Sequence, residues 1–125
     1  MRRSDPSFHS GQALRKGTQR LCARTDFERL RHEGHTWGHR LLVLAAHRNE
    51  LDVLRVGVIA SKQVGGAVAR NRAKRLMREA MRVHSPRVTP GWDLLLIARA
   101  AILRARMPEV AAALESLLRQ AGLVT

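Results

Sequence analysis

The chain has 125 residues, with 23 lysines and arginines against 10 aspartates and glutamates, a formal net charge of +13. That length gives one domain with a modest core, which 45% apolar residues are enough to close. A single cysteine, Cys22, excludes an internal disulfide or a multi-cysteine zinc site and fits a reducing cytoplasm. The longest apolar runs, LLVLAA at 41–46 and LLLIA at 94–98, are strand-length, far short of a membrane span. The charge predicts a polyanionic partner, with RNA, DNA and an anionic membrane as candidates.

Residues 1–18 carry Pro, Gly and Ser with little periodicity and read as a flexible basic N-terminal arm. They lack the apolar stretch of a secretory signal, and Asp5, Pro6 and Gly11 spoil the helix of a transit peptide. Residues 19–125 form the single domain. ARTDFERLRHEG (23–34) predicts a first helix, with Thr25 and Glu28 as a capping box and Gly34 as the stop. RLLVLAAHR (40–48) and VLRVGVIAS (53–61) read as strands. Their short connection predicts antiparallel neighbours. A basic helix follows Gly65 and Gly66, SPRVTPG (85–91) breaks the chain, and WDLLLIARAA (92–101) is a strand apolar enough to be central. Pro108 opens a last helix with a core stripe of Val110, Ala113, Leu114, Leu117, Leu118 and Ala121. The order α-β-β(-β)-α-β-α predicts an α/β fold, a two-layer α+β sandwich with helices packed on a mixed sheet.

The segment VARNRAKRLMREAMR (68–82) carries the strongest functional signal. At about 100° per residue, Arg70, Arg72, Lys74, Arg75, Arg78 and Arg82 share one side of a helix. Ala73, Leu76, Met77, Ala80, Met81 and Val83 take the other. An ordinary solvated face mixes signs; here only Glu79 offsets six cations, so the face repels itself until an anion neutralises it. Five of the six are arginines, whose planar fork engages phosphate bidentately. Gly65 and Gly66 permit close backbone approach at the helix start. The spacing is neither a P-loop nor GxGxxG.

SKQVGGAVARNRAKRLMREAMR (61–82) resembles the signature SKKxGNAVxRNRxKRxxRE of the bacterial ribonuclease P protein subunit. RVGV before it, DLLLIAR after it and TDFERLRHEG near the start extend the resemblance over most of residues 20–121. Gln63 stands where lysine is usual and Gly66 where asparagine is usual.

The resemblance implies the family's sandwich, with a left-handed crossover from the strand before the basic helix to the strand after it. It also implies a subunit of a ribonucleoprotein endonuclease that removes the 5′ leader of precursor tRNA. There the RNA subunit supplies catalysis with its Mg²⁺, and the protein contributes no catalytic residue. Arg70, Asn71, Arg72, Lys74, Arg75 and Arg78, with Lys62, are expected on the catalytic RNA. Asn71 is also expected to brace the helix start. Phe27, Arg31, Arg40, Leu42 and Ala45 are expected to line a leader cleft between the first helix and the sheet. Relatives often carry aromatic side chains where this chain has Arg31, Leu42 and Ala45. With aromatics at 3% and no tyrosine, cations such as Arg31 and Arg40 are expected to do more of the gripping.

The remaining candidates are weaker. His32, His35 and His39 lack a completing cysteine or carboxylate, and Gly34 and Gly38 break the helix a metal site would need. Asp26, Glu28, Asp52 and Asp93 form no pair arranged for acid–base work, and Asp93 starts a strand. Trp37 reads as sheet-edge packing. The competing function is a free-standing RNA-binding or ribosome-associated protein without a catalytic RNA partner. A DNA-reading helix ranks lower, since no helix-turn-helix partner or dimerising heptad is visible. Neither a membrane nor DNA is expected as partner.

Overall fold

The computed structural model describes residues 18–21 and 24–124; the basic arm expected before Thr18, and Cys22, lie outside them. The elements are β1 (Thr18–Arg20), α1 (Arg24–Glu33), β2 (His35–Gly38), β3 (Leu42–Arg48), β4 (Leu54–Ile59), α2 (Ala67–His84), β5 (Trp92–Ala98) and α3 (Met107–Gln120). Short 3₁₀ turns at Ser85–Arg87 and Ala100–Arg104 flank β5. The strands form one mixed sheet in the order β1-β4-β5-β3-β2.

β3 and β4 are not neighbours, contrary to the hairpin expected from their short connection. β5 lies between them, antiparallel to β3 and parallel to β4. Burial explains the insertion. Leu94, Leu95 and Leu96 are all 0% exposed, so β5 needs cover on both faces and a strand on both sides. The connection bridges over the entry to β5 and is tied to it. Asn49 N–H donates to the Gly91 carbonyl, and Gly91 N–H donates to the Val53 carbonyl, each at 3.0 Å. β1, too short and polar to show a period, pairs parallel to β4. Thr18, assigned to the arm by sequence, is its first residue and is buried.

Period-2 alternation divides the sheet residues between two faces. On one, Leu42, Leu44, Ala46, Leu54, Val56, Leu94 and Leu96 pack under α2 and α3, which supply Ala73, Met77, Ala80, Met81, Val110, Leu114 and Leu117. This is the expected two-layer sandwich, with Trp37 packed against it from edge strand β2. His84, at the end of α2, is buried between the helices. Arg87 can only donate to its Nδ1 (2.9 Å), so its Nε2 carries the hydrogen and donates to the Ala111 carbonyl (2.8 Å).

The opposite face carries α1, laid across β4, β5 and β3. Three rows run beneath and beside it. The first is polar: Arg55, Asp93 and His47 stand in register. Arg55 grips Asp93 bidentately, Nε to Oδ1 at 2.7 Å and Nη2 to Oδ2 at 2.6 Å, and Asn49 Nδ2 adds a bond at 2.9 Å. The Asp93 hydrogen bond holds the Arg55 pKa above its ordinary value despite partial burial. The guanidinium therefore stays charged at every pH below the ordinary arginine value, and the stability that this raised pKa contributes is lost only as pH rises through it. Arg55 also faces Asp26 of α1 at 3.8 Å, and His47 faces Glu33 at 3.7 Å, so both ends of α1 meet this row.

The second row is small: Gly57, Leu95 and Ala45 seat Phe27 and Leu30 of α1. A Cβ on Gly57 would lie 2.8 Å from the Phe27 ring and 2.9 Å from the Leu21 carbonyl, so only glycine lets α1 come this close. The third row is aliphatic: Ile59, Ile97 and Val43, each only partly buried. Asp93 is 2% exposed and Arg55 22%. Asp93→Ala is expected to destabilise the domain by about 3 kcal/mol, because it strands a desolvated guanidinium; urea unfolding measures it.

Candidate nucleic-acid interface

α2 separates its charges as the 100° projection requires. Ala73, Met77, Ala80 and Met81 are 0% exposed. Arg72, Arg75 and Arg82 are exposed, and Arg70, Lys74 and Arg78 half-buried. Among the described residues no ion pair engages Arg72, Lys74, Arg75 or Arg82. Arg70 turns back and donates from Nη1 to the Gly65 carbonyl at 3.3 Å, bracing the turn before the helix. Gly65 adopts φ +149°, which disfavours any side chain there. Val83 departs from the projection: it is 54% exposed, because near the end of α2 the buried positions are Met81 and His84. Asn71 does not brace the helix start. It lies a turn inside α2, whose N-cap is Gly66.

Beside α1, its third row and the β4–α2 connection enclose a cleft of ≈ 720 Å³. Val43, Ile59 and Ile97 floor it, and Arg31, Lys62 and Arg99 bring positive charge to it. Lys62 therefore belongs to the cleft as well as to the approach to α2. The turn of Lys62–Val64, closed by Val64 N–H to the Ser61 carbonyl at 3.0 Å, joins the two surfaces. Arg40 is exposed in the turn before β3, whose Leu41 carbonyl accepts the Arg99 amide at 3.0 Å.

Two expected leader contacts are corrected. Leu42 is fully buried on the α2/α3 face, on the other side of the sheet from Phe27. Ala45 is on the α1 face but fully buried in the small cluster with Leu30 and Leu95. Phe27 sits half-buried on Gly57 and does not line the cleft. Val43, Ile59, Ile97 and Arg99, which line the cleft, were not singled out from the sequence. The alternation of β3 held the signal, since Val43 and Ala45 share a face and Leu42 does not. Thr25, expected as a helix cap, is inside α1. His32, His35 and His39 fall on α1, on β2 and in the following turn. His39 Nδ1 accepts the Leu41 amide at 3.0 Å. Among the described residues no three of His, Cys, Asp and Glu group to hold a metal ion, and no helix is long and apolar enough to cross a membrane.

The sequence model of the family described as Ribonuclease P matches residues 16–122. The chain belongs to the ribonuclease P protein family. The ribonuclease P protein component of Roseiflexus castenholzii is 40% identical over 110 residues, 87% of this chain and 90% of that one. The component from Herpetosiphon aurantiacus is 42% identical over 106 residues, 85% and 86% of the two chains. Among solved structures, the Staphylococcus aureus RNase P protein superposes with a TM-score of 0.76 at 32% identity, covering 85% of this chain and 97% of its own. The chain is thus a protein subunit of ribonuclease P, and the polyanion its charge anticipates is RNA.

The two sides of α2 give opposite expectations. Arg72→Ala with Arg75→Ala should change folding stability by less than about 1 kcal/mol, as exposed substitutions do. Met77→Ala should cost about 2–5 kcal/mol through lost burial and a cavity. Denaturant midpoints of the two variants read the difference directly.

Proposed function

We propose that this chain is the RNA-docking and leader-holding subunit of a bacterial, cytoplasmic ribonuclease P. The outer side of α2, with Arg70, Arg72, Lys74, Arg75 and Arg78, docks on the catalytic RNA, and exposed Asn71 adds a polar contact. The cleft beside α1 receives the single-stranded 5′ leader of precursor tRNA. Cleavage then frees the leader and leaves the mature 5′ end. Mg²⁺, bound chiefly by the RNA subunit, supplies activation of the attacking water. The protein neutralises phosphate charge and holds the substrate in place.

The observation that carries this reading is the continuity of the two cationic surfaces through the turn at Lys62. A docked RNA and a bound single strand would lie side by side, as an enzyme that cuts next to a leader needs. The outer side of α2 carries exposed Arg72, Arg75 and Arg82, and among the described residues no ion pair engages Arg72, Lys74, Arg75 or Arg82.

Reconstitution tests the proposal. At low Mg²⁺, purified protein added to bacterial ribonuclease P RNA should restore 5′ cleavage of precursor tRNA. The Arg72→Ala, Arg75→Ala double variant should need at least about tenfold more protein for the same rate, since each charge-assisted contact contributes about 1.5–3 kcal/mol. Binding without stimulated cleavage would instead indicate a free-standing RNA-binding protein, and preference for duplex DNA would contradict both.

A further inference from the structure

Along one border of the cationic side of α2 runs a ridge that phosphate neutralisation does not explain. Val68 is 85% exposed and Val83 54%. With Arg72, Leu76 and Glu79 they recur at steps of three or four residues, so all five fall within about 80° of helix arc and follow one another for about 22 Å. Leu76 is half-buried and roots the ridge in the core beneath α2 and α3. A β-branched side chain costs a little helix propensity, and an exposed one recovers nothing from burial. Two exposed valines on one ridge are therefore explained by a surface that covers them, not by the fold of the chain alone.

The same ridge carries Glu79, the one acidic residue of α2. Arg75 stands one turn before it and Arg82 one turn after, the spacings at which helix ion pairs form. Yet among the described residues no ion pair engages Glu79. Against a phosphate this carboxylate is repelled. The RNA backbone offers it one donor, the ribose 2′-hydroxyl, and beside that hydroxyl the apolar C–H edge of the sugar. Both are displayed in the wide, shallow minor groove of an RNA helix, between its phosphate rows. Cations of α2 placed on phosphates put the adjoining ridge over the sugars. A second copy of this chain fits the ridge poorly, because it brings two six-cation sides together.

We propose that the ridge from Val68 to Val83 reads the sugar edge of the docked RNA: the two valines pack on riboses, and the Glu79 carboxylate accepts a hydrogen bond from a 2′-hydroxyl. This rests on the reading of α2 as the RNA-docking side and adds to it a means of choosing RNA over DNA, which has no hydroxyl there. A carboxylate that only diluted the positive charge would oppose every polyanion alike; Glu79 instead opposes those without the hydroxyl.

Binding of the purified chain to ribonuclease P RNA, measured over a range of salt, tests this with unmodified RNA and with RNA carrying scattered 2′-deoxynucleotides. The wild-type chain should select against 2′-deoxy substitution at a few discrete nucleotides. Glu79→Ala should weaken binding about fivefold and cancel that selection at one of them. Glu79→Gln, which keeps an acceptor oxygen at the same reach, should recover part of the loss. Val68→Ala and Val83→Ala should each weaken binding about fourfold without altering the dependence of log K on log salt. Urea midpoints check that these exposed substitutions leave the fold intact. A Glu79→Ala variant that binds more tightly, as loss of a repelling charge would give, overturns the sugar contact. So does a 2′-deoxy pattern that Glu79→Ala leaves unchanged, or valine variants that bind as the wild type does. A dimer of the free chain that Val83→Ala dissociates would assign the ridge to a second copy and overturn it as well. If Arg72→Ala with Arg75→Ala binds like the wild type, the reading of α2 as the docking side itself fails. If that double variant weakens binding and flattens the salt slope while the ridge variants bind normally, the ridge alone is overturned.

Discussion

Six like charges on one side of an eighteen-residue helix repel one another, and burial of the other side holds that helix in place. The two effects differ in size. Exposed like-charge pairs a turn apart cost a few tenths of a kcal/mol each. Burying a methionine contributes about 1.5–3 kcal/mol, and α2 buries Met77 and Met81 together with Ala73 and Ala80. Burial wins, so the helix can keep an outer face on which, among the described residues, no ion pair engages Arg72, Lys74, Arg75 or Arg82. The residual repulsion is relieved when a polyanion docks, which couples the charge pattern to RNA association rather than to folding. The same burial needs a wide apolar sheet face beneath it, and β5, inserted between β3 and β4, supplies its centre.

The second face of the sheet follows a different logic. Three rows cross β4, β5 and β3, and each does one thing to α1. The polar row ties down its ends through Arg55–Asp26 and His47–Glu33. The small row lets it sit close. The aliphatic row is left beyond its edge and becomes the floor of the cleft. The width of that cleft is therefore set by how low α1 rides on Gly57 and by the buried Arg55–Asp93 pair beside it. Fold and cleft are coupled here: the first two rows position the helix whose Arg31 lines the cleft.

The sequence disclosed the local periodicities and concealed the long-range pairings. The two-sidedness of α2 was legible because 3.6-residue spacing depends on nothing beyond the helix itself. It failed only at Val83, near the helix end. The family resemblance was legible because RNR, KR and RE keep their register. The strand order was not, since a five-residue connection reads as a hairpin and nothing local reveals that Asn49 and Val53 both bond to Gly91. The Arg55–Asp93 pair joins residues 38 apart and left no signal in either strand alone. Leu42 was assigned to the wrong face by a single register step, which in a strand exchanges the two sides of the sheet. Arg99 was passed over because it reaches the cleft only once β5 is placed between β3 and β4.

The central claim is that the outer side of α2 binds a folded RNA through its phosphates. The most direct measurement is the salt dependence of association between the protein and ribonuclease P RNA. Each phosphate contact releases a counterion and steepens the fall of log K with log salt by about 0.7–0.9. Replacing Arg72, Lys74 and Arg75 together should flatten that slope by about 2 while leaving the fold intact. An affinity that barely changes with salt, or a slope the triple replacement leaves untouched, would contradict the account.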